Sequence, residues 1–73
     1  MRDSLLKYMK YNDHVDMMYM SNDGQISQRR IKVLAVSKES FKAYCFLRGS
    51  TRIFNINNVL ALIPVIHKEK ILL

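Results

Sequence analysis

One cysteine, Cys45, stands among 73 residues, so no internal disulfide can staple the fold and a reducing, cytoplasmic setting is expected. The two glycines, Gly24 and Gly49, lie far apart, which excludes a glycine-rich loop cradling phosphates. The single proline, Pro64, falls near the end of an apolar segment, a position that an edge strand tolerates. No apolar run approaches the roughly 20 residues that cross a bilayer, so no membrane partner is expected. The opening Met1-Arg2-Asp3-Ser4-Leu5-Leu6-Lys7 has two adjacent leucines before a lysine, too few for a signal-peptide core. A chain this short excludes a second domain and any enzyme that closes two lobes around a cleft.

Acidic residues are also scarce, six against twelve Lys and Arg, and the imbalance is local. Arg29, Arg30, Lys32, Lys38, Lys42, Arg48 and Arg52 are opposed between positions 29 and 52 by Glu39 alone. That segment carries the whole net charge of +6. A basic middle between neutral ends points to an anionic partner, most simply nucleic acid. The plainer reading is a solvated surface that keeps a small protein soluble. With 49% hydrophobic and 25% charged residues, the chain has the composition of a folded domain and not of a disordered one.

The pattern predicts a short helix over residues 3–11, capped by Asp3 or Ser4, with Met1, Leu5, Tyr8 and Met9 on one face. From His14 the period becomes two, and Val15, Met17 and Tyr19 form the buried phase of a strand. Ser21-Asn22-Asp23-Gly24 is a hairpin turn. A long strand over 26–36 follows, with Ile31, Val33 and Ala35 inward. Leu34 and Val36 are apolar too, so this strand is expected to bend. After a turn at Lys38-Glu39-Ser40, Phe41, Ala43, Cys45 and Leu47 make an apolar face opposite Lys42, Tyr44, Phe46 and Arg48. Gly49-Ser50 turns again into a strand over 51–56, with Phe54 and Ile56 inward. A break at 55–58 and a last strand over 59–65 complete the reading. His67-Lys68-Glu69-Lys70 is a charged tail, and Ile71-Leu72-Leu73 an apolar end able to pack or dimerise. The expected organisation is one domain, 1–73, with a helix within 1–12, a small, strongly bent five-stranded barrel over 14–66 and a tail over 67–73.

No catalytic set is visible, and neither an enzyme nor a cofactor is expected. His14 and His67 lie far apart, and neither has a cysteine or carboxylate at a metal-ligand spacing. Cys45 on an apolar face reads as core filler, and the five methionines as packing. The alternation Lys42-x-Tyr44-x-Phe46-x-Arg48 is different, because it sets cations and rings along one side of a strand. Cations hold phosphates while rings stack on bases, as in single-strand binding. Burial of Phe46 under the helix or a dimer partner is expected, with Tyr44 left partly exposed.

The run Ala43-Tyr44-Cys45-Phe46-Leu47-Arg48-Gly49-Ser50-Thr51-Arg52-Ile53-Phe54 resembles the end of a WYL domain, a bacterial family. The shared core is Cys45, Arg48, Arg52 and Phe54. Upstream, Met18-Tyr19-Met20, Gly24 and the Arg29-Arg30 pair resemble the family's strand, turn and arginine, so the likeness covers roughly residues 12 to 65. The tripeptide that names the family falls at Glu39-Ser40-Phe41, where only the apolar third position is kept. The proline expected after the arginine pair is absent, and no winged helix-turn-helix precedes the domain in this sequence. The resemblance implies a stand-alone, Sm-like (Src-homology-3-like) barrel. It also implies a basic pocket for nucleic acid or a nucleotide-like effector, often in transcription regulation. Carried over, the ligand-facing set is Arg48, Arg52 and one of Arg29 or Arg30, with Tyr44 beside them. The expectation is therefore an accessory module that binds single-stranded nucleic acid or a nucleotide through Arg29, Arg30, Lys42, Tyr44, Arg48 and Arg52. The alternative is a protein-interaction or homodimeric structural module with no nucleic-acid ligand.

Overall fold

The first helix, α1 (Arg2–Lys10), begins one residue before the pattern predicts, and no side chain caps it. Met1 is the N-cap residue, which places Asp3 inside the first turn, where its charge complements the helix dipole. Asn12 takes a positive φ of 56° and stops the helix, with its amide on Met9 O and that of Asp13 on Tyr8 O. Leu5 is fully buried and Tyr8 and Met9 pack beside it, whereas Met1, expected on the same face, is half exposed. The computed structural model describes residues 1–65, so the expected charged tail and apolar end lie outside the described residues.

Five strands follow: β1 (His14–Met20), β2 (Ile26–Val36), β3 (Ser40–Cys45), β4 (Ser50–Asn55) and β5 (Val59–Pro64). They form one sheet in the order β4-β3-β2-β1-β5, each pair antiparallel. A 3-10 turn, Ile56–Asn58, joins the two outermost strands. In a flat sheet β4 and β5 would lie four strand spacings apart, about 19 Å. The link from Asn55 to Val59 spans at most about 14 Å when fully extended. The sheet must therefore curl, and it wraps one apolar face around a single core.

Val15, Met17, Ile31, Val33, Phe41, Ala43, Cys45, Phe54 and Val59 fill that face, and Leu5 of α1 joins them. The protein is thus mainly β, with one N-terminal helix and a five-stranded antiparallel sheet. Among the described residues the sheet is not closed, because β4 and β5 are its two edges and do not pair. Pro64 lies on an edge strand, opposite Val15.

Three expected orientations are corrected. The β2–β3 register shifts between Val33 and Ala35, so Val36 packs on the core while Ala35 faces solvent. Leu47 is 68% exposed because β3 ends at Cys45. There the Gly49 amide, at φ 65°, closes a turn onto Cys45 O. Ile56 belongs to the 3-10 turn and packs against the core from there, not from β4.

Candidate functional site

Alternation along β2 separates the two adjacent arginines. Arg29 shares its phase with Ile31 and Val33 and lies on the concave side opposite Met17, while Arg30 lies on the convex side opposite Asp16. Arg30 is already partnered: its Nε donates to Asp16 Oδ1 at 2.9 Å and its Nη2 to Oδ2 at 3.3 Å. Those hydrogen bonds hold the Asp16 carboxyl below the usual carboxylate range, against slight desolvation. Arg29 is half-buried, and its Nε donates to Ser27 Oγ at 3.3 Å and its Nη1 to Cys45 Sγ at 3.8 Å. Among the described residues no carboxylate pairs with it.

Arg52 reaches the same concave side from β4, where it alternates with buried Phe54 and sits opposite Ala43. The curl of the sheet brings Arg52 and Arg29 to one cavity of about 370 Å³. Ser27 and Tyr19 also line it, the β1–β2 hairpin contributes Asn22 and Gln25, and Phe54 forms part of the wall. Among the described residues no carboxylate lines this cavity. Asp23 of the hairpin is turned to its own backbone, taking the Ser21 hydroxyl and the Gln25 amide, which lower its pKa.

Arg29 is also one wall of a second, more open cavity of about 560 Å³, shared with Arg30, Asp16, Gln28, Phe46 and Leu47. Phe46 is 43% exposed there, its ring 4.9 Å from His14 and 5.0 Å from Tyr44. The helix packs against β2 and does not cover this ring, so the expected burial of Phe46 under α1 is not what the fold does. Tyr44 is half-buried.

Of the six residues singled out from the sequence, the structure brings Arg29 and Arg52 together and sets Arg30 on the far side of Arg29. Lys42, Tyr44 and Arg48 line neither cavity. Sequence reasoning missed Ser27, Tyr19 and the open ring of Phe46. Ser27 was readable, since it extends the phase of Arg29, Ile31 and Val33 by one step. Phe46 was not, because its exposure depends on where α1 docks.

Cys45 is fully buried beneath this site. Burial alone would raise its thiol pKa. The Arg48 amide, the Arg29 guanidinium and the Leu47 amide all point at Sγ, however, and the balance falls below the usual thiol value. Access, and not ionisation, should therefore limit its chemistry. A thiol reagent should label the native protein slowly at pH 8 and rapidly once urea is added. Fast labelling of the native chain would show that the turn over Cys45 opens readily.

Among the described residues no three His, Cys, Asp or Glu side chains gather to hold a metal, and no helix is long and apolar enough to cross a membrane. Comparison of the chain with protein-family models, with curated proteins and with solved structures finds no match.

Proposed function

We propose that this chain is a non-catalytic accessory module that binds single-stranded nucleic acid or a nucleotide, with phosphates held by Arg29 and Arg52. In this reading the curled sheet is an Sm-like barrel left open between β4 and β5, and the WYL-like run supplies Arg52 at a ligand-facing position. One observation carries the proposal: Arg29 and Arg52 line a single cavity that, among the described residues, no carboxylate lines, while the neighbouring Arg30 is neutralised by Asp16. Like charges lining one cavity repel, and an incoming phosphate relieves that repulsion with charge-assisted hydrogen bonds. The Phe46 ring beyond Arg29 offers a face on which a base can stack.

The test is the binding of a labelled single-stranded oligonucleotide across a range of salt concentrations. Arg29→Ala/Arg52→Ala should flatten the slope of log K against log salt by about 0.7 for each phosphate no longer held. Lys42→Ala/Arg48→Ala removes the same charge away from the cavity and should change the slope much less. Equal losses from both pairs would mean diffuse charge. The two unpaired sheet edges, with Ile53 of β4 and Ile63 of β5 exposed at 74% and 62%, would then favour a protein-interaction or homodimeric module.

A further inference from the structure

The donors around the first cavity outnumber what one backbone phosphate can use. Arg29 spends two of its five N–H groups on Ser27 and Cys45, leaving three. Arg52 forms no hydrogen bond or ion pair among the described residues, so its whole guanidinium fork is open. The Tyr19 oxygen accepts from the Asn55 amide at 3.2 Å, and its own O–H is left to donate. Ser27 Oγ accepts from Arg29, and its hydroxyl proton is likewise left over. Two positively charged residues and two hydroxyl-bearing residues thus line one space with no negative group among the described residues of its lining.

The matching ligand carries two negative charges and several acceptor oxygens on one atom. A phosphodiester within a strand offers a single charge and two non-bridging oxygens. A phosphate monoester offers three terminal oxygens and a charge of about −1.5 to −2 at pH 7. At about 370 Å³ the cavity is within the range of small-ligand sites, so a sugar can enter with the phosphate. Arg29 forms a wall of both cavities, so a nucleotide anchored by its phosphate in the first can extend past Arg29 towards Phe46 in the second.

We infer that the Arg29–Arg52 cavity is specific for a terminal phosphate, taking the phosphorylated end of a single strand or a nucleoside monophosphate in preference to an internal phosphodiester. This rests on the anion-binding reading above and narrows it to one chemical class. The experiment compares four probes by fluorescence anisotropy or competition: one oligonucleotide with a 5′-phosphate, with a 3′-phosphate or with hydroxyls at both ends, and a nucleoside monophosphate as competitor. At least one phosphorylated end should bind tenfold or more tightly than the hydroxyl-ended strand, and the monophosphate should displace it. Arg52→Ala, at an exposed position, should keep the unfolding midpoint and abolish the tenfold advantage. Equal binding of all strands, with both arginines still required, would overturn the terminal-phosphate inference and leave the anion-binding reading intact. An advantage that survives Arg52→Ala would place the end-recognition elsewhere and overturn it too. No binding of any strand by the unaltered chain would overturn both.

Discussion

Phe41→Ala should leave the chain without a cooperative unfolding transition at room temperature. Phe41 is 1% exposed and the largest of the fully buried side chains. Its ring stacks on Phe54 with centroids 5.5 Å apart, and Phe54 in turn meets the Tyr19 ring edge-on at 5.1 Å. This aromatic run ties β3 and β4 to β1 across the curl, so truncating Phe41 removes packing from three strands at once. Phenylalanine-to-alanine changes in such positions cost about 3–5 kcal/mol. A core in a chain this short rarely supplies more than about 3–5 kcal/mol, so the loss is comparable to the whole stability. Ile53→Ala is the control, since Ile53 is the residue before Phe54 and points outward at 74% exposure. It should leave the urea midpoint nearly unmoved. A Phe41→Ala chain that melts within a few degrees of the unaltered protein would mean that β3 does not present Phe41 to the core.

The strands were legible because their burial has a period of two and little else competes with it. Ile26 and Val36 bound β2 as the apolar pattern predicts, and Phe41, Ala43 and Cys45 are buried as their alternation requires. What failed were choices that a neighbouring strand makes. Leu34, Ala35 and Val36 are all apolar enough to face inward, and the β3 register decides that Val36 does. Leu47 continues the apolar phase of β3, but the Gly49 turn onto Cys45 ends the strand before Leu47 can be used. The helix cap failed for a local reason, since Met1 with its backbone alone serves where Asp3 or Ser4 could have.

The site was legible one strand at a time and not across strands. The phase of β2 separates Arg29 from Arg30, and counting back from the Asp23-Gly24 turn sets Asp16 opposite Arg30. Both steps need only the hairpin. That Arg29 and Arg52 share a cavity needs the curvature of the sheet, which the three-residue link between β4 and β5 imposes. Lys42 and Arg48 stood out from the sequence by their alternation with rings. The fold sets Lys42 on the convex side and Arg48 in a turn, where its amide serves Cys45.

The adjacent arginines give the sharpest separation of a site from a charged surface, because Arg29→Ala and Arg30→Ala remove one unit of charge from consecutive positions. Arg29→Ala takes a guanidinium from both cavities. Hydrogen bonds to charged groups contribute about 1.5–3 kcal/mol each, so single-strand binding should weaken about 10- to 150-fold. Arg30→Ala should weaken it by a few-fold at most, since Asp16 already neutralises that charge. Its signature should appear in stability instead. The Asp16 pKa is depressed in the folded chain, so the pair stabilises the fold above the ordinary carboxylate value. The contribution fades as pH falls through the depressed value. The melting temperature of Arg30→Ala should therefore lie below that of the unaltered protein at pH 7, and the two should converge on acidification below about pH 4. Arg30 is about half exposed and Asp16 is still reached by solvent, so this offset should be small, and Asp16→Asn should remove its pH dependence. Equal weakening of binding by the two variants would show that the protein attracts anions by its overall charge, and that the Arg29–Arg52 cavity is not a site.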